Sequence, residues 1–340
     1  MKEQIHKADY FEFIVGLLFS DDEQVRVDAI TKMASPQFDW NLFTKIAKEN
    51  RVLIRCKSKL IETLAEVDHK TSMLFFPIEH FIKETDRESM DRDFSLMDSL
   101  EKQFRERGIN YVIMKTLDQY PDLGHDLDFL VSQNHFEKAK KIIVEEFGGQ
   151  PLSVTFCDRL VGKVSYAIPG HERSVELYPR ISQLGEQYFS TDDIIRNKQE
   201  KIIGGTSHYT TSPEDQIMIA CVHRLYRHWM IGVRISDIYN VWRLMSHERI
   251  DMQYISCKAR EGGVFKALSF FLNLVKDVGR GGCMPRMRFP YTPPFSTTIR
   301  LFIDKIASDI CKGRLRILLA PALIPLGFFA LRIFKKNFIW

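Results

Sequence analysis

Apolar positions along this chain change their period twice. Up to about residue 97 they recur at helical spacing. "DWNLFTKIAKENRVL" sets Leu42, Phe43, Ile46, Ala47 and Val52 near one face of a 3.6-residue repeat, with Asp39 placed to cap it. "DFSLMDSLEKQFRERG" continues with Phe94, Leu96, Met97 and Leu100 on its apolar side, and Gly108 stops it. The period then shortens to two. "INYVIM" predicts a strand, "DQYPDLGH" a loop and "DLDFLV" a second strand. "SQNHFEKAKKIIVEEFGG" predicts a helix capped by Ser132 or Asn134, with Phe136, Ala139, Ile142 and Ile143 facing inward and Gly148 ending it. "RLVGKVSYAI" and "RSVELYP" flank the turn residues "PGHE" and read as a β-hairpin. From Ser212 the helical period returns. Ser212 caps "SPEDQIMIACVHRLYRHWM" with Pro213 at the first helical position, and "RISDIYNVWRLM" and "VFKALSFFLNLVKDV" follow as amphipathic helices.

This order predicts an α+β fold: a small mixed β-sheet core, with helices on one side of it, flanked by N-terminal and C-terminal helical regions. The expected division is a helical region at 1–107, an α/β core at 108–205, a helical domain at 206–280 and a segment with apolar helices at 281–340.

Composition narrows the function classes. At 340 residues, 45% hydrophobic and 27% charged, the chain is an ordinary globular protein. A net charge of +4 permits phosphorylated ligands but falls short of a nucleic-acid-binding signature. Six scattered cysteines contain no C-x-x-C pair, which argues against a zinc ribbon or a disulfide framework. The start, "MKEQIHKADYFEFIVGLLF", lacks the basic, apolar and small-residue parts of a secretory signal, so the expected location is cytoplasmic. One segment has a membrane flavour, "RLRILLAPALIPLGFFALRIFKK". Its uncharged run, 317–331, is shorter than the ~20 residues a spanning helix needs and is broken by Pro321, Pro325 and Gly327. It reads as short helices packed on the core or on a partner, or as a helix lying in the membrane interface, a peripheral contact through 314–336.

The candidate chemistry lies in "DLDFLV". Side chains two apart on a strand share a face, so Asp126 and Asp128 project together while Leu127 and Phe129 face the core. Paired carboxylates need arginine or lysine partners, solvent or a divalent cation. Mg²⁺ suits such hard oxygen donors. Glu176, in "SVELYP", alternates with apolar Val175 and Leu177 and would join the aspartates if the two strands are neighbours. Three acids can hold two metal ions for an in-line phosphoryl displacement. The bland alternative is a solvated acidic edge strand.

These features together resemble the uncharacterised nucleotidyltransferase-like proteins of the polymerase-beta nucleotidyltransferase superfamily. The "NRVL" helix, "RGINYVIMK" leading to a loop with "YP", the D-x-D strand and its helix carry the resemblance, with a later acidic strand and the helices "SPEDQIMIACVHRLYRH" and "VRISDIYNVWRL". It implies transfer of a nucleoside monophosphate from a nucleoside triphosphate, such as ATP, to a hydroxyl. It further implies Asp126, Asp128 and Glu176 as catalytic and metal-binding residues for two Mg²⁺ ions, with Mn²⁺ as a substitute. Lys115, Thr116, His125 and Arg234 fall at nucleotide-binding positions. Where the superfamily carries Gly-Ser or Lys-Gly after the first strand, this chain has Lys115-Thr116, and His125 replaces the arginine common before D-x-D. Lys115 and His125 can equally be solvated side chains.

Further along, His223, Arg224, Arg227 and His228 share one helical segment, where His223 has the apolar surroundings of a core histidine. Arg234 and Asp237 are spaced for an ion pair, while similar proteins suggest that Arg234 reaches the triphosphate. The leading expectation is a Mg²⁺-dependent nucleotidyltransferase acting on a small-molecule, protein or RNA acceptor. The alternative is a catalytically silent module of the same fold that binds a nucleotide or protein, membrane-associated through its tail. An RNA-modifying toxin fits the mild charge less well.

Overall fold

The computed structural model describes residues 7–33, 35, 37–66, 84–122, 124, 126–183, 186–224, 233–280, 297 and 300–301. Among the described residues four helices come first: α1 (Lys7–Phe19), α2 (Glu23–Met33), α3 (Trp40–Glu49) and α4 (Leu53–Glu66). As the pattern predicts, Asp39 caps α3, accepting from the Asn41 and Leu42 amides, and Phe43, Ile46 and Ala47 are buried. Asp122, from the loop before the D-x-D strand, accepts from the Ile54 and Arg55 amides at 2.6 and 3.0 Å. It therefore acts as a long-range cap on α4 and ties that loop to the N-terminal helices.

Helix α5 (Glu84–Glu106) leads into a seven-stranded mixed sheet. Its strands are β1 (Tyr111–Ile113), β2 (Asp126–Val131), β3 (Gln150–Pro151), β4 (Val164–Ala167), β5 (Ser174–Tyr178), β8 (Gln199–Ile203) and β9 (Thr206–Thr210). Two short strands, β6 (Ile181–Gln183) and β7 (Glu186–Phe189), form a separate ribbon. Helices α6 (Phe136–Phe147), α7 (Phe156–Val161) and α8 (Thr191–Arg196) lie between the strands. After β9 come α9 (Pro213–Val222), α10 (Ile235–His247), α11 (Met252–Glu261) and α12 (Phe265–Gly279). Strand order is β3-β4-β5-β2-β1-β9-β8. The predicted hairpin is present, with Val164 opposite Leu177 and Ser165 opposite Glu176.

Alternation along the central strands divides the side chains between two cores. Tyr111, Ile113, Leu127, Phe129, Val131, Val175 and Leu177 pack with Leu96, Met97, Leu100 and Phe104 of α5 and with α6. Phe104, Tyr111 and Phe129 form an aromatic triad with centroids 5.3 to 6.1 Å apart. Burying each such ring stabilises the fold by roughly 1.5–3 kcal/mol. Val112, Met114, Leu130 and Tyr178, pointing the other way, join the larger core made by the N-terminal and C-terminal helices. Helices therefore cover both faces of the sheet, not one, because the central strands carry apolar residues on both sides.

Two local expectations change, and one hairpin is new. The helix after β2 begins at Phe136 rather than at a Ser132 or Asn134 cap, because a 3-10 turn over Gln133–His135 absorbs the entry. "RLV" ends helix α7 instead of opening a strand, with Gly162 in the left-handed conformation at its C-cap. The hairpin β8–β9 closes on Gly204-Gly205, whose φ of 61° and 89° suit a two-residue turn. It was missed because both strands are largely polar, and it carries the sheet on through Thr210.

Candidate active site

Strands β2 and β5 run parallel and in register, with Asp126 beside Ser174 and Asp128 beside Glu176. Paired residues of adjacent strands share a face, so Asp126, Asp128 and Glu176 all project from the side opposite α5 and α6. Glu176 is thus brought to the aspartate pair, as its alternation with Val175 and Leu177 predicts.

Asp128 and Glu176 are both 7% exposed, and each meets a lysine. The Lys115 ammonium is 2.7 Å from Asp128 Oδ1, while Lys163 pairs with Glu176. The Tyr178 hydroxyl donates to Glu176 Oε2 at 2.5 Å, and Lys115 donates to that hydroxyl's oxygen at 3.3 Å. Asp126 accepts from the Ser174 hydroxyl at 2.7 Å. The electrostatics separate two of the acids. Burial, with the neighbouring Glu176 adding to it, pushes Asp128 up to about 6 despite Lys115. Burial acts on Glu176 too, but there the Lys115 and Lys163 ammoniums outweigh it and hold the carboxyl below its usual range.

Lys115 stands in the left-handed region at φ 63°, a conformation that favours glycine. Thr116 is 1% exposed. Its hydroxyl accepts from the Asp128 amide at 2.9 Å and lies 3.3 Å from the Asp126 carbonyl, clamping the D-x-D backbone. Arg173 donates to the Gly124 carbonyl at 2.7 Å, fixing the approach to the strand. His125 lies outside the described residues, as do Arg227, His228 and the apolar tail.

A second group of cations gathers at the start of α10. Arg234 is its N-cap, and its backbone N–H donates to Asp237 Oδ2 at 2.8 Å. The side chain that ion-pairs with Asp237 is Arg224, at 2.8 Å, and not the predicted Arg234. Arg51, at φ 55°, occupies the turn between α3 and α4. That turn is pinned to α10 by the buried Asn50, whose side-chain and backbone oxygens accept from the Ile235 and Ser236 amides. Burial lowers the Arg51 guanidinium, and Arg224 lowers it further, while Asp237, Asp126 and Asp128 pull it back up. Arg234 is lowered to about 10 by burial and then by Arg51 and Arg224. Three guanidiniums thus crowd around Asp237, and Arg51 also feels the aspartate pair. His223, at the C-cap of α9, lines a small cavity with Lys115, Tyr178 and Arg180.

Residues 36–279 match the family described as uncharacterised nucleotidyltransferase. The chain belongs to that family. No curated protein matches the sequence. Among solved structures, a solution structure of the antibiotic-resistance factor ANT(2'')-Ia aligns over 56% of this chain and 98% of its own, at 12% identity and a TM-score of 0.34. Membership in the nucleotidyltransferase family agrees with the mixed sheet and its flanking helices.

Sequence reasoning missed Lys163, Tyr178 and Arg51 as neighbours of these acids, and singled out Arg224 without its partner Asp237. Lys163 and Tyr178 carried a signal, since period two puts them on the acid side of the hairpin. Arg51 carried none, because only the docking of α3–α4 on α10 brings it near.

Proposed function

We propose that this nucleotidyltransferase-family protein is a Mg²⁺-dependent enzyme that moves a nucleoside monophosphate from a nucleoside triphosphate to an acceptor hydroxyl. The observation that carries this reading is the in-register pair Asp128 and Glu176, with Asp126 on the same face. The donor set fits the metal: all three groups are hard carboxylates on one face, and burial raises Asp128 in spite of Lys115. Asp126 and Asp128 would hold Mg²⁺, or Mn²⁺ in its place, with Glu176 completing the set. Bound there, the ions would supply electrophilic stabilisation of the phosphate oxygens.

Each of the chain's own residues then has a task. Glu176, oriented by Tyr178 and Ser165, accepts the proton of the acceptor hydroxyl as its oxygen bonds to the α-phosphorus. The bond from that phosphorus to the β-phosphate oxygen breaks, and pyrophosphate leaves. Lys115, Arg51 and Arg234 neutralise its charge, while Thr116 keeps the D-x-D backbone in place. Positioning and electrostatics of this kind suffice for phosphoryl chemistry. The acceptor is a small molecule, a protein or an RNA.

The test incubates purified protein with each labelled triphosphate, Mg²⁺ and cell extract as the acceptor source. Pyrophosphate release that disappears in Asp126→Ala/Asp128→Ala is expected. No release with any triphosphate, together with unchanged metal binding in that variant, would defeat the reading. A second reading, a module that binds nucleotide without turnover, is favoured by one observation: Lys115 sits directly on Asp128. Calorimetry separates the two, since the silent module would bind nucleotide with no Mg²⁺ requirement.

A further inference from the structure

The other face of the sheet carries a cluster that the nucleotidyl reading does not use. Asp98 and Glu101, three apart on α5, face His208 in the middle of β9. Among the described residues this is the one group of acids, histidines and cysteines whose ligand atoms lie within 4.8 Å of one another. Helix α5 covers the Tyr111, Ile113 and Phe129 face, so the cluster is separated by the sheet from Asp126, Asp128 and Glu176.

His208 is 0% exposed. Its Nδ1 is 2.5 Å from Glu101 Oε2. Glu101 Oε1 is itself held by the Tyr111 hydroxyl at 2.9 Å and the Tyr209 amide at 3.2 Å. A carboxylate in that place fixes the imidazole with its proton on Nδ1 and its Nε2 lone pair outward. This is the arrangement that accompanies metal-ligating histidines. Nε2 and Asp98 Oδ1 are both buried, and neither has a hydrogen-bond partner among the described residues. They stand 3.7 Å apart. That gap is too long for a hydrogen bond, yet two bonds of about 2.1 Å from one ion span it readily. Both residues also line a cleft of about 410 Å³ between α4, α5 and the β8–β9 hairpin, with room for coordinating water.

We propose that Asp98 and His208 bind a transition-metal dication of the Zn²⁺ class. Glu101 orients the imidazole, water from the cleft completes the shell, and the ion staples the β8–β9 hairpin to α5. Mixed imidazole and carboxylate donors select such ions over Mg²⁺.

The experiment uses the full chain, stripped with chelator, in an Asp126→Asn/Asp128→Asn background. Loss of that acid pair leaves the cluster intact, so failure here and failure of the nucleotidyl reading are read separately. Zn²⁺ is titrated calorimetrically and by thermal melting, and Co²⁺ is titrated with its visible spectrum recorded. Stoichiometric Zn²⁺ binding, a rise in melting temperature and a Co²⁺ spectrum of nitrogen-oxygen ligation are expected. Asp98→Asn, at a half-buried position that tolerates the amide, should weaken Zn²⁺ by at least about tenfold. The same Zn²⁺ affinity with and without Asp98→Asn would overturn the proposal. So would a parent that binds no Zn²⁺.

Discussion

Replacing Asp128 by asparagine should shift stability toward the variant as pH rises. The carboxyl is 7% exposed, and burial raises it from 3.8 to about 6. A raised carboxyl binds a proton in the folded chain that the unfolded chain has released. Stability is therefore complete below the unfolded value and is lost as pH rises through the folded one. The gap corresponds to about 3 kcal/mol at neutral pH, about half of it already lost at pH 5. Asparagine keeps the shape and removes that pH-dependent cost, while the Lys115 ammonium loses its carboxylate at both pH values. The stability difference should thus be about 1 kcal/mol more favourable to the variant at pH 7.5 than at pH 5. Changes at Glu176 do not enter that window, because its carboxyl titrates below its ordinary range. Urea unfolding followed by far-UV circular dichroism, with chelator present, reads the difference at both pH values. Adding Mg²⁺ should then stabilise the parent and leave Asp128→Asn unmoved. A difference that is equal at the two pH values, or more favourable to the variant at pH 5, would refute the reasoning that burial dominates this site.

Three other substitutions test the frame around the acids. Thr116→Val removes the hydroxyl that serves the Asp128 amide, which should cost ~1–3 kcal/mol in a urea melt, with Thr116→Ser restoring most of it. Tyr178→Phe deletes a hydrogen bond that helps hold Glu176 low, so the acid limb of the pH-rate profile should move to higher pH. Arg55, 6% exposed, bonds the Asp118 and Tyr120 carbonyls and pairs with Asp122. Arg55→Met should cost ~3–5 kcal/mol in the same melt, because the Asp122 carboxylate is left buried without its cation.

Much of the site's acid half was legible in the chain because it depends on local periodicity. A period of two along "DLDFLV" is enough to place Asp126 and Asp128 opposite Leu127 and Phe129, and the Pro-Gly turn is enough to make β4 and β5 a hairpin. The same alternation turns Glu176 away from Val175 and Leu177. Residue chemistry also decided the stops at Gly108 and Gly148 and the caps at Asp39 and Ser212, since each acts within one turn of its own position. No local pattern could place β5 in parallel register with β2, or β9 beside β1; that follows from which faces bury most apolar area once the helices pack. Arg51 comes near the aspartate pair because Asn50 docks on α10, and His208 meets Asp98 and Glu101 because α5 lies across β9. Backbone periodicity reports the direction a side chain leaves its own strand or helix. Which distant group it then meets is settled by the packing of whole elements, and for this protein that packing supplied the cations.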